Sequence, residues 1–190
     1  QAMDSVKKYL DTELGIKKIH PAMTTDYPTK EENLTCYNKG CGENGSVFCH
    51  ANTWAIIAEC MLGRPENAWK YYHQLLPMVA QKTAGAERYK AEPYVYSSNI
   101  FGPESDKFGL ANVSWLTGTA AWMYLAATQY LLGVRPTWDG LEIDPCLPEH
   151  LLPAKVTRVF RGCRYEITIT KNQKLLLPHV DGRKQLTVTV

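Results

Sequence analysis

Apolar residues recur at helical spacing in four stretches of the first two thirds of the chain, and at every second position in the last third. Val6, Leu10 and Leu14 predict a short helix from Asp4 to Leu14, stopped by Gly15. Trp54, Ile57, Ala58 and Met61 predict a second from Ala51 to Leu62, closed by Gly63. Pro65 sits well in a first helical turn and opens a third, with Trp69, Tyr72, Leu75 and Leu76 as its apolar positions. The short Gly63-Arg64 link makes these two a helical hairpin. The fourth, Leu116 to Leu132, is apolar nearly all round and predicts a helix buried on most sides. Between these helices, Ile16 to Val47 and Lys82 to Val113 are broken by glycine and proline and read as long loops of the kind that carry function.

After Gly133 the apolar period falls from about 3.6 to about 2. Leu141-Glu-Ile-Asp, Val156-Thr-Arg-Val-Phe, Tyr165-Glu-Ile-Thr-Ile-Thr and Leu186-Thr-Val-Thr-Val read as half-buried antiparallel strands. The fold class predicted is therefore mainly α with a C-terminal β part. The division falls at residues 1–135, helical, and 136–190, an antiparallel β domain read as incomplete.

The 190 residues carry 45% hydrophobic and 21% charged side chains, a globular composition that excludes a disordered or low-complexity scaffold. No apolar run approaches the ~18 residues that span a bilayer, so a membrane-spanning role is not expected. The charge of +2, from 21 Lys+Arg against 19 Asp+Glu, lacks the excess that non-specific nucleic-acid binding requires. Eight of the basic residues lie from Lys155 onward, where alternation along strands reads as a solvated face. No signal peptide opens the chain, so the six cysteines are expected to be thiols in a reducing, cytoplasmic compartment. The ends, without an initial Met and on a strand-like run, read as cut from something longer.

Three polar segments exceed what helix packing requires. Gly42-Glu-Asn-Gly-Ser-Val-Phe-Cys-His50 places a carboxylate and an amide just before a histidine at a helix start, where His50 is either a cap or a ligand-binding group. Ala91-Glu-Pro-Tyr-Val-Tyr96 mixes an acid with aromatics, as sugar sites do and as packed loops also do. Ser114-Trp-Leu-Thr-Gly-Thr119 opens the fourth helix. Its free N–H groups, flexible glycine and two hydroxyls suit an anion, although plain N-capping uses the same hydroxyls. Cys36, Cys41, Cys49 and His50 are spaced C-x4-C-x7-C-H, with no C-x2-C pair, so no metal site is expected. Neither a phosphate-binding G-x4-G-K-[ST] loop nor G-x-G-x-x-G occurs. Adjacent Cys49 and His50 supply no nucleophile triad.

Together these words resemble the C-terminal portion of the cellobiose phosphorylase group, glycoside hydrolase family 94. They are Glu43-Asn-Gly-Ser-Val-Phe-Cys-His50, Asn52-Thr-Trp-Ala-Ile-Ile-Ala-Glu-Cys-Met-Leu-Gly63, Tyr89-Lys-Ala-Glu-Pro-Tyr-Val-Tyr96, Trp115-Leu-Thr-Gly-Thr-Ala-Ala-Trp122 and Ile143-Asp-Pro-Cys-Leu-Pro148. The resemblance covers about Tyr37 to Ile169. It implies part of an (α/α)6-barrel catalytic domain followed by a β-sandwich-like, jelly-roll segment. The implied reaction is inverting phosphorolysis of a β-linked glucosyl disaccharide or oligosaccharide to α-glucose 1-phosphate, with inorganic phosphate as co-substrate and no cofactor.

By resemblance, His50, Thr117 and the Gly118 backbone line the phosphate pocket, and Tyr37 and Glu43 meet the acceptor sugar. Glu92 belongs to the sugar site. Family members carry a Gln after the Tyr-Val-Tyr word, whereas this chain has Ser97 and Ser98; Ser98 or Asn99 takes that donor contact. The family's general acid, an Asp, lies further upstream of His50 than the chain extends, so no catalytic residue is expected here and the chain is expected to be inactive alone. A homodimer of the full-length protein is also implied. Two other readings compete: a water-using barrel hydrolase with Glu43 and Glu92 as its acid and base, and a non-catalytic carbohydrate-binding module built on the β segment.

Overall fold

In the computed structural model, which describes residues 1–24, 37–179 and 184–190, the chain divides into two units. One is Gln1–Ala55 with Lys70–Trp122; the other is Ile56–Trp69 with Met123–Val190. In the first, α1 (Ala2–Ser5) continues as π-helical turns over Val6–Leu10 and stops short of Leu14. The reason is local. Thr12 Oγ1 donates to the Gly15 carbonyl at 2.6 Å and accepts from Leu14 N–H at 3.2 Å, closing a turn between β1 (Asp11–Thr12) and β2 (Gly15–Ile16). Leu14 thereby enters the core, 1% exposed.

β3 (Val47–Phe48) runs directly into α2 (Cys49–Met61), and the Gly63-Arg64 link leads to α3 (Pro65–Leu75). Pro77, without an N–H to donate, ends that helix and occupies the first turn of α4 (Pro77–Ala84), which α5 (Ala86–Tyr89) follows. β4 (Ser97–Ile100) and β5 (Ala111–Ser114) then precede α6 (Thr119–Leu125), which continues as π turns over Ala126–Leu131. β3, β4 and β5 form one antiparallel sheet in that order, with Phe48 opposite Asn99 and Ser97 opposite Ser114.

Asn52, 3% exposed, fastens β2 to the start of α2. Its Oδ1 accepts from Ile16 N–H at 2.6 Å, and its Nδ2 donates to the carbonyls of Ile16 at 2.8 Å and Phe48 at 2.9 Å. Leucine has the size but none of these groups, and each buried backbone group left unpaired costs ~1–3 kcal/mol. Asn52→Leu is expected to lower unfolding free energy in urea by about 3 kcal/mol; a loss below about 1 kcal/mol would show that the amide fastens nothing.

The second unit holds two three-stranded sheets. One is β10 (Leu175–Pro178), β7 (Gly140–Ile143) and β6 (Val134–Pro136); the other is β11 (Gln185–Thr189), β9 (Cys163–Ile169) and β8 (Ala154–Phe160). Period-two alternation is plain in β9, where Cys163, Tyr165, Ile167 and Ile169 are buried and Arg164 is exposed. One strand departs from the antiparallel expectation: β11 runs parallel to β9. The intervening β10 pairs with β7 in the other sheet, so the chain returns to β9 in the same direction.

The mainly α, partial-barrel fold class is not what forms. The described residues are 35% helix and 27% strand, arranged with several small sheets. The C-terminal part is sheet-rich as the alternation predicts, but the preceding part has a sheet of its own. Its strands span two to four residues, too short for alternation to stand out from the surrounding glycines and prolines. Nor is the fourth helix buried on most sides: Thr119, Met123 and Ala126 are buried, while Tyr124 is 65% exposed and Trp122 36%. Apolar composition marks a helix that can be buried, not which faces are. No helix among the described residues is long and apolar enough to cross a membrane.

Candidate functional site

The sheet of the first unit decides which side chains meet. β3 and β5 both pair antiparallel with the central β4, so they run in the same direction and their C-terminal ends lie at one edge. β3 delivers the chain to His50 in the first turn of α2, and β5 delivers it through Trp115 and Leu116 to Thr117, Gly118 and the start of α6. Two helix starts, whose first N–H groups have no partner within their own helix, are thus brought to the same edge.

His50 and Gly118 are in contact there. A Cβ added to Gly118 would lie 3.2 Å from His50 Cε1 and 3.5 Å from both ring nitrogens, so glycine is what lets the imidazole approach the backbone. His50 Nε2 is buried without a hydrogen-bond partner among the described residues. Trp54 packs beside the ring at 5.4 Å between centroids, and Trp122 and Phe48 each at 6.0 Å. Thr53 Oγ1 donates to the His50 carbonyl at 2.6 Å, and fixes the first turn. Thr117 Oγ1 accepts from Thr119 N–H at 3.2 Å and lies 2.6 Å from Thr119 Oγ1. If the buried Thr119 hydroxyl donates to Thr117, the Thr117 proton is left for a ligand.

The remaining predicted site residues occupy surrounding loops and the central strand. Tyr37 and Glu43 lie on a loop that folds back on itself: Gly40 N–H donates to the Asn44 carbonyl at 2.8 Å, and Asn44 Nδ2 donates to the Tyr37 carbonyl at 3.0 Å. The Tyr37 ring covers Gly42, and Glu43 pairs with Lys18 at 2.5 Å, whose ammonium sits 4.4 Å from the Phe48 ring centroid. Ser98 lies on β4 and accepts from Asn99 Nδ2 at 3.0 Å, while Asn99 Oδ1 accepts from Ser46 Oγ at 3.0 Å. Glu92 accepts from the Trp115 indole N–H at 3.0 Å. Its own backbone N–H, then Trp115 and Ser114, hold its carboxyl below the usual carboxylate range. Val113 and Trp115 both have positive φ, 56° and 71°, so the strand leaves the sheet through two left-handed residues before reaching Thr117.

His50, Thr117 and Gly118 are therefore brought together, Glu92 is joined to the same segment through Trp115, and Glu43, Tyr37 and Ser98 take partners of their own. Trp54 and Trp122 were not singled out from the sequence as site residues. Each stands four positions after a residue that was, His50 and Gly118, and that spacing places them on the same helix faces. Of the four residues weighed for zinc, Cys36 lies outside the described residues. Cys41 turns to Lys39 and Ser105, and Cys49 to Ser97 at 3.7 Å. Burial pushes the Cys49 thiol up to about 11 against the bond to Ser97, leaving it protonated and unreactive at neutral pH.

The sequence model of the glycosyl hydrolase 94 superfamily catalytic domain matches residues 1–133, and the chain belongs to that family. It is 35% identical, over 99% of its length and 24% of the other's, to solabiose phosphorylase of Paenibacillus borealis. It is 39% identical to N,N'-diacetylchitobiose phosphorylase of Vibrio proteolyticus, over 89% of this chain and 21% of that one. To the cyclic beta-(1,2)-glucan synthase NdvB of Rhizobium meliloti it is 32% identical, over 98% of this chain and 7% of that protein. The chain spans about a quarter or less of the length of these curated relatives.

Proposed function

We propose that the chain is part of an inverting glycoside phosphorylase that uses inorganic phosphate to cleave a β-linked glucosyl disaccharide or oligosaccharide, releasing α-glucose 1-phosphate. The observation that carries this reading is the buried Nε2 of His50, unpartnered among the described residues, against the side-chain-free start of α6. A buried polar nitrogen without a partner costs ~1–3 kcal/mol, a penalty that an anion accepting its N–H removes. In this reading His50, the Thr117 hydroxyl and the Gly118 backbone hold phosphate. Tyr37, Glu43, Glu92 and Ser98 serve the sugars.

The chemistry follows from the nucleophile. Phosphate attacks the anomeric carbon from the face opposite the leaving sugar; the new C–O bond forms as the glycosidic bond breaks, and the configuration inverts. An acid protonates the departing oxygen. Phosphate already carries negative charge, so no strong base is needed, and the protein's task is to hold it in line and stabilise its charge. The acid is assigned, on family resemblance, to an Asp outside these 190 residues. A water-using hydrolase with Glu43 and Glu92 as its pair is less well supported. Glu92 is held below the usual carboxylate range, the reverse of what a proton donor at neutral pH requires, and the partner of Glu43 is a cation.

The test incubates the phosphorylase containing these residues with β-linked disaccharides, with and without inorganic phosphate. The expected product is α-glucose 1-phosphate, formed only with phosphate. Free sugar released equally fast without phosphate would establish a hydrolase instead. The 190-residue chain alone is expected to show no phosphorolysis; robust turnover would place the acid within it.

A further inference from the structure

Two adjoining cavities in the second unit have no part in the phosphorolysis reading. Every residue that lines them belongs to Ile56–Trp69 or Met123–Val190, so the second unit forms them by itself. The more enclosed one, about 490 Å³, lies between the end of α2 with its Gly63 turn and the Asp144-Pro-Cys146 segment after β7. That volume is within the ~300–1,000 Å³ range of small-ligand sites. Pro65 and Asn172 also line the second cavity, about 660 Å³, which continues the opening past Leu147, Leu152 and Lys171. A Cβ on Gly63 would meet nothing within 4 Å, so the turn leaves room beside the enclosed end.

The charges on the wall of the enclosed cavity cancel one another. Arg135 donates to Glu142 Oε1 from Nε at 2.9 Å and from Nη2 at 2.6 Å, and from Nη2 to Asp144 Oδ2 at 2.8 Å. Lys174 takes the other oxygen of Glu142 at 2.9 Å. Two cations thus face two carboxylates, and an entering ion would gain only by breaking pairs that already exist. An uncharged ligand meets no such cost. Hydrogen-bonding capacity is left for it. Asp144 makes its ion pairs through Oδ2, which leaves Oδ1 to accept. Asn172 accepts from Leu147 N–H at 2.9 Å and donates to the Leu147 carbonyl at 2.8 Å, which leaves its second amide hydrogen to donate. Apolar surface lies beside these groups: Pro65, the 75% exposed Met61, and Tyr130, whose ring carries the Arg135 guanidinium 5.4 Å from its centroid.

We propose that this groove is a carbohydrate-binding site that takes a neutral, β-linked glucosyl oligosaccharide, one sugar in the enclosed cavity and the chain running on into the second. A sugar presents hydroxyls that both donate and accept, together with C–H faces that pack on rings and aliphatic surface. A free acceptor, a free donor and an apolar wall around balanced charge answer those features, and phosphate answers none of them. The groove shares no residue with the site around His50. The choice of β-linked glucose rests on the phosphorolysis reading; the class of ligand, an uncharged sugar, rests on the groove.

The chain, labelled with [methyl-13C]methionine, is titrated with cellotetraose in phosphate-free buffer and followed by NMR. Of its five methionines, Met61 lines the groove, and Met78 is an exposed reporter in the first unit. The expected result is a saturable shift of the Met61 methyl signal, assigned with Met61→Leu, while the Met78 signal stays in place. Asp144→Ala is expected to raise the half-saturating sugar concentration about tenfold. Inorganic phosphate at the same concentrations is expected to leave the Met61 signal unmoved. A Met61 signal that cellotetraose does not shift, or that phosphate shifts as far, overturns the proposal. Both of those outcomes are read on unsubstituted protein and do not depend on a variant folding. No turnover is involved, so the loss of this site and the loss of the phosphorolysis reading are separate results.

Discussion

Replacing His50 with alanine is expected to lower kcat/KM for phosphate by ~10²–10³, about 3–4 kcal/mol of transition-state stabilisation, in the phosphorylase proposed above. The His50 Nε2 is buried and has no hydrogen-bond partner among the described residues, and its ring touches the one position at the start of α6 that lacks a side chain. In the proposed reaction an N–H donated to the anion acts on a charge that shifts as the glycosidic bond breaks, so its loss is felt mainly in the chemical step. KM for the disaccharide should change far less. His50→Gln, whose amide also donates, should recover part of the loss, a rescue that a purely structural role of the ring would not produce. Initial rates at varied phosphate check this, and an unchanged kcat/KM for phosphate in the alanine variant would remove His50 from the site.

Gly102→Ala is expected to destabilise the protein by about 3 kcal/mol or more and to displace the loop bearing Tyr37 and Glu43. A Cβ at Gly102 would lie 2.0 Å from the Gly45 carbonyl oxygen, a backbone atom that cannot swing aside. The contact cannot be relieved by moving the two segments apart without cost, because Gly102 N–H donates to the Gly40 carbonyl at 2.7 Å. A lower melting temperature is the expected signature, together with a raised KM for the acceptor sugar on the role proposed for that loop. An unchanged melting temperature would mean that the loop is not packed on Gly102 as described.

The two variants differ in how far the sequence foretells them. His50 and Gly118 stand out as polar or flexible residues at helix starts, and the ordered words around them carry the family resemblance. Nothing in the spacing announces that Gly102 meets Gly45, because that contact joins two loops whose approach no periodicity encodes. The fold shows the same division. α2 and α3 lie close to where apolar spacing places them, because helical hydrogen bonds and side-chain faces are local. β3, β4 and β5 are missed, since two to four residues cannot show an alternation, and the helix-rich reading of residues 1–135 suffers for it.

What the chain's own letters determine is the local grammar: helix spans, the change to period two after Gly133, the cysteine spacings and the family. Tertiary structure alone decides that β3 and β5 run in the same direction, that His50 therefore meets Gly118, and that β11 joins β9 in parallel. The physical reason is range. Periodicity and capping act over one or two turns, whereas strand direction and contacts between distant residues are set by which long-range pairings bury the most apolar surface while leaving the fewest polar groups unpaired.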